Sequence, residues 1–81
     1  MQTLMLDGRN YASPHDLHRA LQRLLHLPAH YGCNADALYD CLTSRREQVN
    51  LIILHPGNAP IAAAIQKCAL AILDAGGWVK Q

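Results

Sequence analysis

The sequence predicts an α/β fold in which three parallel strands are joined by helical crossovers, in the order β-α-α-β-α-β. Three observations carry this. Two short apolar segments, "QTLML" (residues 2–6) and "VNLIILH" (49–55), have strand character and are separated by two helical stretches. A third helical stretch, from Ile61 to Ala75, follows the second strand and stops at Gly76 and Gly77. Parallel strands need crossovers of about a dozen residues or more, and helices of this kind supply them.

Each element has its own local signal. The first strand closes at a turn, Asp7-Gly8. Ser13 then caps a helix whose first residue is Pro14, a position where the missing N–H costs nothing. Asp16 lies in its first turn, where the helix dipole favours a negative charge. Leu17, Ala20, Leu21, Leu24 and Leu25 fall on one face. His15, His18, Arg19, Gln22, Arg23 and His26 take the solvent side, and Pro28 ends the helix near Leu27. Gly32 permits a turn with positive φ. Asn34 caps a second helix from Ala35 to about Thr43, with Ala37, Leu38, Cys41 and Leu42 on its buried side.

The second half begins with a charged connector, "SRREQ" (44–48). The unbroken apolar centre of "VNLIILH" predicts a strand buried on both faces. "PGNAP" (56–60) is a loop with a helix start at Asn58 or Ala59. Ile61, Ala64, Ile65, Cys68, Ala69 and Ile72 suffice as the core face of the long helix. Ala62, Leu70 and Leu73 continue the apolar surface around it, which predicts either deeper burial against the sheet edge or cover by a partner surface, a weak homodimer through this helix among them. "WVK" makes only a short last strand.

Composition narrows the function classes. With 81 residues the chain reads as one domain, residues 1–81. The formal net charge of +1 offers no basic patch for nucleic acid. The apolar runs outside the helices are too short to span a membrane, and the N-terminus has no signal-peptide pattern. Three cysteines, with no C-x-x-C motif, read as reduced thiols in a cytoplasmic protein. His15 and His18 stand at i, i+3, but no carboxylate or cysteine joins them at a metal-site spacing. No nucleophile set is present, so neither catalysis nor a cofactor is expected.

The one feature that helix physics leaves unexplained is a pair of like charges. Asp36 and Asp40 stand one turn apart, where they repel by roughly 0.2–0.5 kcal/mol. Asp36 is favoured by the helix start, whereas Asp40 is mid-helix.

Around these residues the segment "SPHDLHRALQRLLHLPAHYGCNADALYDCLT" resembles the barstar family, intracellular inhibitors of small secreted bacterial ribonucleases. The resemblance rests on "DLH" opening the first helix, "LP" and "YG" across the loop, and N-x-D-A-L-aromatic-D-C-L-T. It runs without a gap from Asp7 to Thr43. The second half agrees in outline only, and is shortened between Leu54 and Ile61 and at the C-terminus.

The family fold is a small three-stranded parallel sheet packed with helices, in accord with the element order. The resemblance implies that the second helix and the loop before it plug the active site of a small secreted ribonuclease or toxin domain. Asp36 and Asp40 would mimic RNA phosphates, with His30, Tyr31, Gly32, Asn34, Tyr39 and Thr43 completing the contact surface. Two carboxylates about 6 Å apart approximate a phosphate spacing, and a cationic pocket would repay their repulsion with charge-assisted hydrogen bonds.

The chain also departs from the pattern. Arg45 and Arg46 replace a glycine and a tryptophan, and oppose a basic partner unless they fold away. The last helix has no acid before Asp74, where the family carries a partner-touching glutamate. The competing reading is a protein–protein interaction module that keeps the fold without inhibiting a nuclease.

Overall fold

The computed structural model describes residues 2–81. Met1, with which the predicted domain begins, lies outside the described residues. Strand β1 (Gln2–Asp7), helix α1 (Pro14–Leu24), helix α2 (Ala35–Arg45), strand β2 (Val49–His55), helix α3 (Ala59–Asp74) and strand β3 (Val79–Lys80) follow in the predicted order. A 3-10 turn over Gly8–Asn10 takes the place of the simple turn expected there. Asp7 caps it and pairs with the Arg9 guanidinium at 2.7 Å, which holds the Asp7 carboxyl down to about 2.

The predicted caps are made. Ser13 accepts from the Asp16 amide, Asn34 from Ala37 and Asn58 from Ile61. Each satisfies a first-turn N–H that has no partner within its helix. Helix α1 ends at Leu24, three residues before the predicted end. The Leu27 amide reaches back to the Gln22 carbonyl and His26 to Arg23, with His26 left-handed at φ 53°. This Schellman closure is usually built on glycine, and here histidine takes the strain. Helix α3 ends the same way on Gly76 and Gly77.

The sheet is parallel, in the order β1-β2-β3, with Leu4 opposite Leu51 and Leu51 opposite Val79. Since the order steps in one direction only, right-handed crossovers put every helix on the same face. Burial follows this. Leu4, Leu6, Val49, Leu51 and Ile53 are buried with Leu17, Leu21, Leu38, Leu42, Ile61, Ile65 and Ile72. On the opposite face Met5 is 58% exposed and Leu54 59% exposed. The expectation that β2 is buried on both faces therefore fails beyond Asn50. That side chain is fully buried, and its Oδ1 accepts from Gln48 Nε2 and the Trp78 amide.

Two assignments on α1 are also reversed. Leu24 is exposed, and His18, expected in solvent, is 6% exposed and belongs to the core. On α2, Cys41 is only partly buried, and on α3 Ala64 is partly buried while Ala71 joins the core.

Arg45 stays partly exposed beside Asp40, but its guanidinium is held by internal partners. Its guanidinium donates to the Leu25 carbonyl at 2.7 Å and pairs with Glu47 at 3.3 Å, so it ties the end of α2 to the end of α1. Arg46, left-handed at φ 52°, stays exposed. Arg45→Ala is thus expected to cost about 1–2 kcal/mol, the scale of a hydrogen bond to a charged donor. Arg46→Ala should cost nothing measurable, or stabilise slightly. Urea midpoints of the two variants check the contrast.

Candidate functional site

The site is a loop and the helix it launches. After α1, the segment 28–34 crosses to α2 and is anchored by Tyr31, which is 7% exposed. Its amide bonds to the Pro28 carbonyl, and its hydroxyl lies 2.8 Å from His18 Nδ1 and 3.4 Å from the Asn34 carbonyl. On the far side of the imidazole, Nε2 is 4.0 Å from Cys68 Sγ.

One tautomer satisfies all three contacts. The Cys68 thiol donates to Nε2, Nδ1–H donates to the Tyr31 oxygen, and the tyrosine hydroxyl donates to Asn34. Burial supports these protonation states: it pushes the Cys68 thiol up to about 12, raises Tyr31 far above its ordinary range and lowers His18. The chain runs from α3 through α1 and the loop to the N-cap of α2. It makes His18 the internal support of the loop.

The left-handed residue in the loop is Cys33, at φ 53°, and not Gly32 as expected. At Gly32 a Cβ would meet only Asn34 Nδ2 at 3.3 Å and Ala37 Cβ at 3.4 Å, close to ordinary contact. Asn34 Nδ2 donates to the Gly32 carbonyl while its Oδ1 caps the helix, so both ends of this amide are spent on local structure.

Helix α2 then presents Asp36, Tyr39, Asp40 and Thr43 to solvent, with His30 exposed beside them. Thr43 Oγ1 donates back to the Tyr39 and Asp40 carbonyls. Among the described residues neither Asp36 nor Asp40 takes part in an ion pair.

The two carboxylates border different hollows. Asp36 and Tyr39, with Asn34 and Ala35, form one wall of a groove of about 540 Å³, and Lys67, Leu70, Ala71 and Asp74 of α3 form the other. Asp40 lines a smaller hollow of about 270 Å³ with Pro28, His30, Cys41, Ser44 and Arg45. Of the eight residues expected at the site, seven are exposed, Asn34 included though its side chain is tied into the cap. Gly32 leaves backbone accessible, and Tyr31 is an internal prop. The α3 wall was not anticipated as part of the site. Its signal was present as a stripe at i, i+3, i+4 and i+7, left over after the core stripe of that helix is assigned.

A pH effect follows from the buried imidazole. The unfolded chain binds a proton at His18 near the ordinary 6.5, whereas the folded chain binds it only at lower pH. Between those values the unfolded state holds more protons, so stability should fall as pH drops through about 6.5, and level off once folded His18 is charged too. Urea midpoints at pH 7.5 and 5.5 should differ more for the parent than for His18→Asn, whose amide nitrogen can replace Nδ1. Equal pH dependence in both would remove His18 as the cause.

Among known families, the one described as "Barstar (barnase inhibitor)" matches residues 1–75. Among individual proteins, the "Putative ribonuclease inhibitor YrdF" of Bacillus subtilis (strain 168) is 44% identical over 43 residues. Those residues are 53% of this chain and 47% of that protein, so the match spans about half of each. No solved structure matches the chain. No helix of the described residues is long and apolar enough to cross a membrane.

Proposed function

The chain belongs to the barstar family, and from that premise we propose that it inhibits a small ribonuclease or ribonuclease-like toxin by plugging its active site. The observation that carries this reading is the pair Asp36 and Asp40: exposed, in no ion pair among the described residues, and displayed on a helix whose start is capped and whose loop is braced from the core. A carboxylate already paired inside the protein would have to give up that partner. These two are free to meet the arginines, lysine or histidine of a phosphate-binding pocket.

Inhibition in this reading is occlusion, with no turnover and no cofactor. His30, Gly32, Asn34, Tyr39 and Thr43 form the rim around the carboxylates, and Tyr31 contributes by holding the loop. The protein acts in the cytoplasm of a bacterium as an immunity protein or antitoxin against a nuclease that is otherwise secreted. Weak self-association through α3 is compatible with this reading and is supported separately by exposed Leu70 and Leu73.

The decisive experiment titrates the chain into a fluorogenic RNA cleavage assay with small secreted ribonucleases and toxin nuclease domains. Stoichiometric loss of turnover for one of them supports the proposal. Failure against all, with a non-nuclease partner recovered by affinity capture, would favour the interaction-module reading, for which the exposed apolar residues of α3 speak.

Charge should tune the rate. Arg46 is an exposed cation next to the acidic helix that, unlike Arg45, is not held by a side-chain bond among the described residues, so Arg46→Glu should speed association with a basic nuclease at low salt, and the gain should fade as salt is added. Stopped-flow mixing measures this. A slower association would mean that Arg46 touches an acidic group of the partner.

A further inference from the structure

The α3 wall of the larger groove has a symmetry of its own. Lys67, Leu70, Ala71 and Asp74 form one stripe, and Leu70 is 52% exposed on it. Lys67 precedes Leu70 by the same number of residues as Asp74 follows Ala71. Neither Lys67 nor Asp74 takes part in an ion pair among the described residues. A twofold axis passing beside Leu70 and Ala71 would turn this stripe, antiparallel, onto a copy of itself. Lys67 would then meet the second copy's Asp74, its own Asp74 would meet the second copy's Lys67, and the leucines would close the centre. Such self-complementarity is what an isologous contact requires.

We propose that a second copy of this chain docks by α3, antiparallel, into the groove between α2 and α3, and so covers Asp36 and Tyr39. The dimer stands independently of the inhibitor reading. Its consequence rests on that reading: Asp36 and Tyr39 of the inhibitory face are hidden in the dimer, so self-association and target binding compete. A single helix stripe buries less than the roughly 1,200 Å² of a stable specific interface. The dissociation constant is accordingly expected on the order of 100 µM. Dilute protein is then free for its target, and concentrated protein is partly masked.

Sedimentation equilibrium from about 10 µM to 1 mM tests the contact across that range. The mass of the parent should rise with concentration. Lys67→Asp alone and Asp74→Lys alone should each weaken the dimer about tenfold, since each places like charges together twice. The double swap should recover the parent's behaviour to within about threefold, because it restores both pairs with their signs exchanged. These positions are exposed, so folding should be preserved, and a thermal midpoint for each variant confirms it. In a nuclear magnetic resonance dilution series, the amide signals of Asp36 and Tyr39 should move together with that of Leu70. A concentration-independent monomer, or a double swap no better than the single ones, overturns the proposal. Shifts confined to α3 overturn the docking into the groove.

Discussion

Asp40→Ala is expected to weaken the complex with the target nuclease by several kcal/mol while leaving the fold intact. In the bound state Asp40 would sit among cations stripped of water. Removing it leaves those cations buried and unpaired, a loss of about 2–5 kcal/mol or more for a close charge pair. That range comes in part from the barstar family's own complexes. The free protein loses little, because Asp40 is exposed on a helix, pairs with no cation among the described residues and stands one turn from Asp36. Alanine is the better helix former and ends the repulsion, so stability should hold or rise by a few tenths of a kcal/mol. Isothermal titration against the nuclease, set beside a urea melt, separates the two effects. Intact inhibition by Asp40→Ala would sink the phosphate-mimic role, because no other residue of the smaller hollow carries an acid.

The largest effect on folding should come from Gly77→Ala. A Cβ at this position would lie 1.8 Å from the Val49 carbonyl oxygen and 2.9 Å from Ile72 Cγ2. The first contact is with backbone of the central strand, which has no rotamer to change. The segment between α3 and β3 would have to withdraw from β2. The bonds from the Leu51 amide to the Trp78 carbonyl, at 2.9 Å, and from the Trp78 amide to Asn50, at 3.1 Å, would then stretch or break.

Overpacking of this kind costs up to about 3 kcal/mol, and the lost bonds add to it. A domain of this size has only about 4–12 kcal/mol to lose. A loss of about 3 kcal/mol lowers the thermal midpoint of a domain this size by about 12–24 °C, and a fall of that order is expected. Gly76→Ala is the matched control, with open space around its Cβ but a φ of 97°. It should cost only backbone strain, about 1–2 kcal/mol. Equal midpoints for the two variants would show that the approach of Gly77 to β2 is not rigid.

What could be read in advance was what neighbours in sequence decide. Asn34, Asn58 and Ser13 cap because a short polar side chain can reach an amide three residues on, and the span of β2 follows from its own apolar run. His18 was misread because its partners, Tyr31 and Cys68, are remote in sequence. A histidine at the border of an apolar stripe looks like solvent until something polar meets it from another element. Residue type alone assigns the positive φ to Gly32, whereas the loop takes its left-handed turn at Cys33.

Met5 and Leu54 show a different gap. A run such as "VNLIILH" says that a strand is apolar, and it does not say which face will find a cover. That depended on strand order, which two short strands and a fragment do not announce. The site was legible as far as α2 carries it. Its second wall on α3 was not, because the crossing of two helices brings Asp36 and Leu70 to one groove and no local pattern encodes that crossing.

The pairing of β1 with β2 also governs when the structure can form. Gln2 meets Val49 and Leu6 meets Ile53, with both α1 and α2 lying between. During synthesis the first strand is therefore made long before its only neighbour. The backbone of β1 has no strand to pair with until about two-thirds of the chain is out. Closing so long a loop is not costly in itself, since each doubling of length adds only about 0.6 kcal/mol, but it must be met before any sheet bond returns it. The helices, by contrast, need only their own residues and can gather early. The last event is then the arrival of a two-residue strand, fastened beside β2 through Gly77. Folding of this chain is timed by its centre, and both of its ends wait for β2.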